Sequence, residues 1–130
     1  MKYLLFFLIS YNLCVCQGKS LDEAYNNSYA SKIAMELDCN NAKSFADKDI
    51  INDNMFLFLK SGEAPIVFYG DTIFENNYNV KFIEQGCIGS NCAKEYNQVI
   101  FDYLLKQNGK KWIKLIRKDT VGFKEWKKLL

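Results

Sequence analysis

A chain of 130 residues, 49% apolar and 15% aromatic, has enough apolar material for one core, and its length fits one domain. It contains no histidine, which removes Ser-His-Asp and Cys-His catalysis and the commonest zinc ligand together. The net charge is only +2, but it is unevenly distributed along the chain.

The opening, Met1-Lys2, then an apolar run from Tyr3 to Ile9, then Cys14-Val15-Cys16-Gln17, has the form of a secretory signal cleaved between Cys16 and Gln17. The run is interrupted by Ser10, Tyr11 and Asn12 too early to span a bilayer. The expected organisation is a signal peptide at residues 1–16 and a single globular domain at 17–130. Lipidation at Cys16 competes with simple cleavage: Leu13 is correctly placed for it, whereas Val15 fits poorly. Cleavage releases the domain into the periplasm or the medium; a lipid tethers it to a membrane.

Ser20-Leu21-Asp22-Glu23 is a capping box, and Leu21, Ala24, Tyr25, Ile33, Ala34 and Leu37 extend it into a predicted helix of about 17 residues. Asp38-Cys39-Asn40-Asn41 should end that helix, and residues 42–54 read as a short helix plus loop. Met55-Phe56-Leu57-Phe58-Leu59 is an unbroken apolar run, the pattern of a strand buried on both faces. A turn follows at residues 61–65, around the single proline, Pro65. Residues 66–69 read as a second strand or as the approach to a helix that opens at a capping box spanning Thr72 to Glu75. Residues 78–83 alternate as a strand does. Tyr96, Val99, Ile100, Tyr103 and Leu104 then mark one face of an amphipathic helix ended by Gly109. Trp112, Leu115 and Ile116 suggest a second short helix; Thr120 and Gly122 interrupt it, and Phe123, Trp126, Leu129 and Leu130 suggest a last one. The expected fold is α+β, or a small α/β layer, with two to four short strands packed against N-terminal and C-terminal helices.

Three cysteines follow the leader: Cys39, Cys87 and Cys92. In an oxidising compartment two of them should pair, and one thiol remains over. A Cys39–Cys87 bridge is the favoured pairing, because it would tie the first helix to the sheet edge. The spacing from Cys87 to Cys92 is not that of a redox CxxC, and three cysteines without histidine do not make a metal site. Asp47, Asp49, Asn52, Asp53 and Asn54 are rich in oxygen, but Ile51 occupies the fifth position of a calcium loop that starts at Asp47, so a solvated loop is the better reading. There is no phosphate-binding glycine motif, and no cofactor is expected.

From residue 106 onward nine Lys or Arg face two acidic residues, net +7; residues 17–105 carry seven Lys and thirteen acidic residues, net −6. Lys110, Lys111, Lys114 and Arg117, interleaved with Trp112, Phe123 and Trp126, form a candidate binding surface. The competing reading places the aromatics in the core and leaves the lysines merely solvated. An exported protein meets little nucleic acid, so a nucleic-acid partner is not expected.

Tyr78-Asn79-Val80-Lys81 through Gly86-Cys87, Tyr96-Asn97, Val99 to Leu104, Gly109-Lys110-Lys111-Trp112, Ile116-Arg117-Lys118-Asp119 and Gly122-Phe123 together resemble small exported proteins of Bacteroidota. The resemblance covers the C-terminal half; it implies compartment and lineage and brings no activity. The leading expectation is therefore a non-catalytic domain of the periplasm or cell envelope that binds a protein or envelope component. The alternative is a small hydrolase built on paired carboxylates, Glu75 with Glu84 or Asp102.

Overall fold

The five residues of β1, Met55–Leu59, are all buried, none more than 3% exposed. In the computed structural model, which describes residues 20–60, 66–85 and 91–130, this strand pairs in parallel with β2, Val80–Glu84, in the register Met55 opposite Val80 to Leu59 opposite Glu84. Parallel neighbours need a crossover. Here it is α3, Tyr69–Tyr78, which ends at Asn79 in the left-handed conformation, φ 50°, so that the chain turns at once into β2. The expected signal peptide, Cys16, the turn at 61–65 and Cys87 lie outside the described residues.

The remaining elements are α1 at Leu21–Asn26, α2 at Ala42–Ile51, α4 at Cys92–Asn108 and α5 at Phe123–Lys127, with 3-10 turns at Ala30–Met35 and Lys111–Lys114. The α+β expectation holds, with two strands among the described residues. α4 presents Tyr96, Ile100 and Leu104 to the core, as its spacing predicted, and packs on both α2 and β1. Gly109 caps its end at φ 64°.

The first helix is shorter than its apolar spacing suggested. Ser20 caps it as expected, accepting from the Glu23 amide, but it stops at Asn26. The Ser28 hydroxyl bonds back to the Tyr25 carbonyl at 2.7 Å, a local bond of the kind that competes with helix continuation. The next two amides, Tyr29 and Ala30, are taken by the Asp49 carboxylate at 2.7 and 2.8 Å. Leu37, placed by sequence on the buried face, is fully exposed. The crossover helix also starts earlier than Thr72: its N-cap is Phe68, whose amide donates to Asp71 Oδ2 at 2.8 Å.

The edge of β1 away from β2 is closed by a side chain. Asn97 of α4 accepts from the Phe58 amide and donates to the Phe58 carbonyl, both at 2.9 Å, as a neighbouring strand would. The segment 119–121 completes the closure: Val121 donates to the Phe58 carbonyl, Lys60 donates to the Asp119 carbonyl, and Leu59 faces Thr120 in an antiparallel bridge.

The disulfide joins Cys39 to Cys92, not Cys39 to Cys87. Cys92 is the first residue of α4, and the turn before α2 brings Cys39 to it with Cα atoms 4.8 Å apart. The bridge thus ties the loop before α2 to the long helix. The Trp112, Phe123 and Trp126 rings point inward and surround Phe101, with centroids 5.2 to 6.0 Å from it. They are core, as the competing reading had it. Gly122, at φ 77°, lets α5 approach α4 closely, since a Cβ there would lie 2.8 Å from Lys94 Cγ.

Candidate functional site: an apolar groove at the strand ends

Both parallel strands end at the same side, at Leu59 and Glu84, and a groove of about 340 Å³ opens there. This is where parallel sheets place their ligands. Leu59, Phe82 and Ile83 line it from the strands, Asp71, Thr72 and Glu75 from α3, Leu21 from α1, and Ile66 and Val67 from the segment that leads into α3.

That segment, residues 66–69, is a strap of four exposed side chains: Ile66 at 57%, Val67 at 82%, Phe68 at 53% and Tyr69 at 91%. It is held firmly from beneath. Ile66 donates its amide to Glu84 Oε1 at 3.2 Å, and its carbonyl accepts from Arg117 Nη1 at 2.7 Å. The Arg117 guanidinium also lies 4.8 Å from the Phe68 ring centroid. A second depression, lined by Phe68, Gly70, Leu115 and Lys118, adjoins the other side of Arg117.

Arg117 is therefore not a free surface cation, contrary to its place in the candidate basic surface. Its side chain is 9% exposed and pairs with Asp71 at 2.9 Å and Asp119 at 2.6 Å. The Asp119 hydrogen bond and carboxylate raise its pKa further, and Arg117 in turn holds Asp119 below the usual carboxylate range. Lys110, Lys111 and Lys114 are exposed as expected, around the buried Trp112.

Glu75 and Glu84, one of the proposed carboxylate pairs, both line the groove. Each is already engaged: Glu75 Oε1 accepts from the Phe82 amide at 2.8 Å and Glu84 Oε1 from the Ile66 amide. Asp102 is elsewhere, accepting from Trp126 Nε1 at 2.7 Å. Sequence reasoning missed the exposed strap, because four apolar residues after a turn look like buried strand until their neighbours are known.

The oxygen-rich stretch also resolves into structural roles. Asp49 is wholly buried and accepts from Tyr29, Ala30 and the Tyr96 hydroxyl, while Asn54 donates to the Ala24 carbonyl. Among the described residues no group of three or more metal-ligating side chains is brought together. A larger, shallow depression beside Cys39 is lined by Lys60 and Lys94 against Asp38 and Glu95, a balanced set that favours no class of ligand.

Comparison with protein-family models, with curated proteins and with solved structures finds no match.

Proposed function

We propose that the protein is an exported, non-catalytic domain of the periplasm or cell envelope that binds a protein or envelope component through the strap and groove around Arg117. The observation that carries this reading is the exposure of Ile66, Val67, Phe68 and Tyr69 on a backbone pinned by Arg117 and Glu84. Contiguous exposed apolar surface rimmed by polar groups is characteristic of interaction sites, and here it cannot be relieved by simple collapse. Export is supported by the Cys39–Cys92 bridge, which belongs in an oxidising environment, and by the leader expected to be removed before Gln17. No helix among the described residues is long and apolar enough to cross a membrane.

The recognition face thereby moves from the basic end to the strap. Capture from envelope extract by immobilised native domain, by a Val67→Asp/Tyr69→Asp variant and by a Lys110→Glu/Lys111→Glu/Lys114→Glu variant tests this. Loss in the first variant and retention in the second is the expected result; the reverse pattern overturns it.

A carboxylate-dependent hydrolase is the second reading, favoured by one observation, the presence of Glu75 and Glu84 in the lining of one groove. It is weaker because each carboxylate already serves a main-chain amide. Turnover of cell-wall glycan fragments that disappears in Glu75→Gln would replace the binding reading with this one.

A further inference from the structure

We propose that the groove takes a basic amphipathic peptide, with apolar side chains seated on Leu21, Ile66, Val67 and Ile83 and a Lys or Arg directed at Glu75 and Glu84. This rests on the reading of the strap as the recognition face and names the chemistry of what it recognises.

The groove combines apolar surface with uncompensated negative charge. Arg117, the cation that lines the groove, is balanced by Asp71 and Asp119. Glu75 and Glu84 have no such balance: among the described residues neither lies within ion-pair distance of a Lys or Arg. Each uses Oε1 to hold a main-chain amide, which fixes the carboxylate at the groove without neutralising it. The groove is thus apolar in its lining and negative in sum. A peptide that is apolar and cationic complements both properties, whereas an anionic lipid surface complements only the first.

The mode of recognition is also constrained. A peptide could add as a strand along β2, but the Phe82 amide is occupied by Glu75, so the ladder is interrupted in the middle of that strand. Side chains entering the groove, rather than main-chain pairing, must supply the binding.

The test uses a short fluorescent peptide of alternating leucine and lysine, its leucine–glutamate counterpart, and vesicles of phosphatidylglycerol. Titrations are followed by anisotropy on the oxidised domain, with near-ultraviolet circular dichroism confirming the fold of each variant. The leucine–lysine peptide should bind, more weakly as salt rises, and roughly tenfold or more tighter than the glutamate peptide. The Glu75→Gln/Glu84→Gln variant keeps both amide acceptors and should lose about tenfold of that affinity. Val67→Asn, which removes the apolar contact without adding charge, should abolish it.

If neither peptide binds, if the glutamate peptide or the vesicles bind as well as the lysine peptide, or if Glu75→Gln/Glu84→Gln binds unchanged, the cationic assignment is overturned. In the last case, continued loss in Val67→Asn leaves the recognition face standing, while unchanged binding in Val67→Asn removes that reading too. Self-association that rises with concentration and disappears in Val67→Asn assigns the groove to a second copy and overturns the peptide.

Discussion

Arg117 reaches five groups at once: the carboxylates of Asp71 and Asp119, the Ile66 carbonyl and the rings of Phe68 and Phe82. Removing it leaves Asp71 buried without its cation, a situation that costs about 3 kcal/mol. Arg117→Ala should therefore lower stability by about that amount and loosen the strap, while Lys114→Glu, on an exposed side chain, should change it by less than about 0.5 kcal/mol. Urea denaturation of the two variants checks this; equal small effects would return Arg117 to the solvated surface.

Asp49 and Asp119 are opposite cases for pH. Burial pushes the Asp49 carboxyl up, although the Tyr29 and Ala30 amides and the Tyr96 hydroxyl favour its charged form. Its folded pKa lies above the unfolded value of about 3.9, so its stabilising contribution is full below that value and is lost as pH rises through the folded pKa. Asp119, held low by Arg117, contributes above the unfolded value and loses that contribution as pH falls through its folded pKa. Asp49→Asn, which also sets an amide NH₂ against a backbone donor, should cost roughly 1–3 kcal/mol near pH 3 and less as pH rises. Asp119→Asn, on a partly exposed group, should cost well under 1 kcal/mol, with the penalty growing as pH rises from that point. Stability curves measured against pH for both variants would show the two slopes; slopes of the same sign would contradict the assignment.

At the scale of elements, the strands and helices that answer to their own residues were legible. β1 showed as an unbroken apolar run because all five of its residues are buried, and α4 showed because Tyr96, Ile100 and Leu104 recur at helical spacing. What could not be read was set by distant partners. The first helix ends where Asp49, twenty residues from Tyr29, takes amides it would need to continue. Likewise, the edge of β1 is closed by Asn97, which in the sequence is one polar residue in a helix. Asn97→Leu keeps the volume but strands the Phe58 amide, and should cost roughly 2 kcal/mol in chemical denaturation. An unchanged midpoint would mean that water replaces the amide without penalty.

The cysteine pairing is a second case, because spacing is silent about which cysteine meets Cys39 in space. With its ends 53 positions apart, the Cys39–Cys92 bridge should contribute about 4 kcal/mol in the chain-entropy model. Cys39→Ser/Cys92→Ser should lose about that much, and peptide mapping without reductant should recover the two half-cystines together. A map that joins Cys87 to either would contradict the observed pairing.

For the whole molecule, the division of charge along the chain does not carry over into a free basic and aromatic face. The aromatic residues of the basic segment are spent on the cluster around Phe101, and Arg117 is spent on Asp71 and Asp119. What remains exposed at the basic end is mostly lysine, with Leu115, Leu129 and Leu130, while the four consecutive exposed apolar residues 66–69 lie on the strap, beside two unbalanced glutamates. The candidate carboxylate pair was readable as residues, but its setting in an apolar groove was not, since the crossover that builds the groove brings Ile66 to Glu84 from eighteen positions away.

The most direct test is amide chemical-shift mapping on the isotope-labelled, oxidised domain during titration with the leucine–lysine peptide. The account predicts shifts concentrated at residues 66–73 and 82–84, with little change at Lys110, Lys111 and Lys114. Shifts centred on those lysines, or none at saturating peptide, would contradict it.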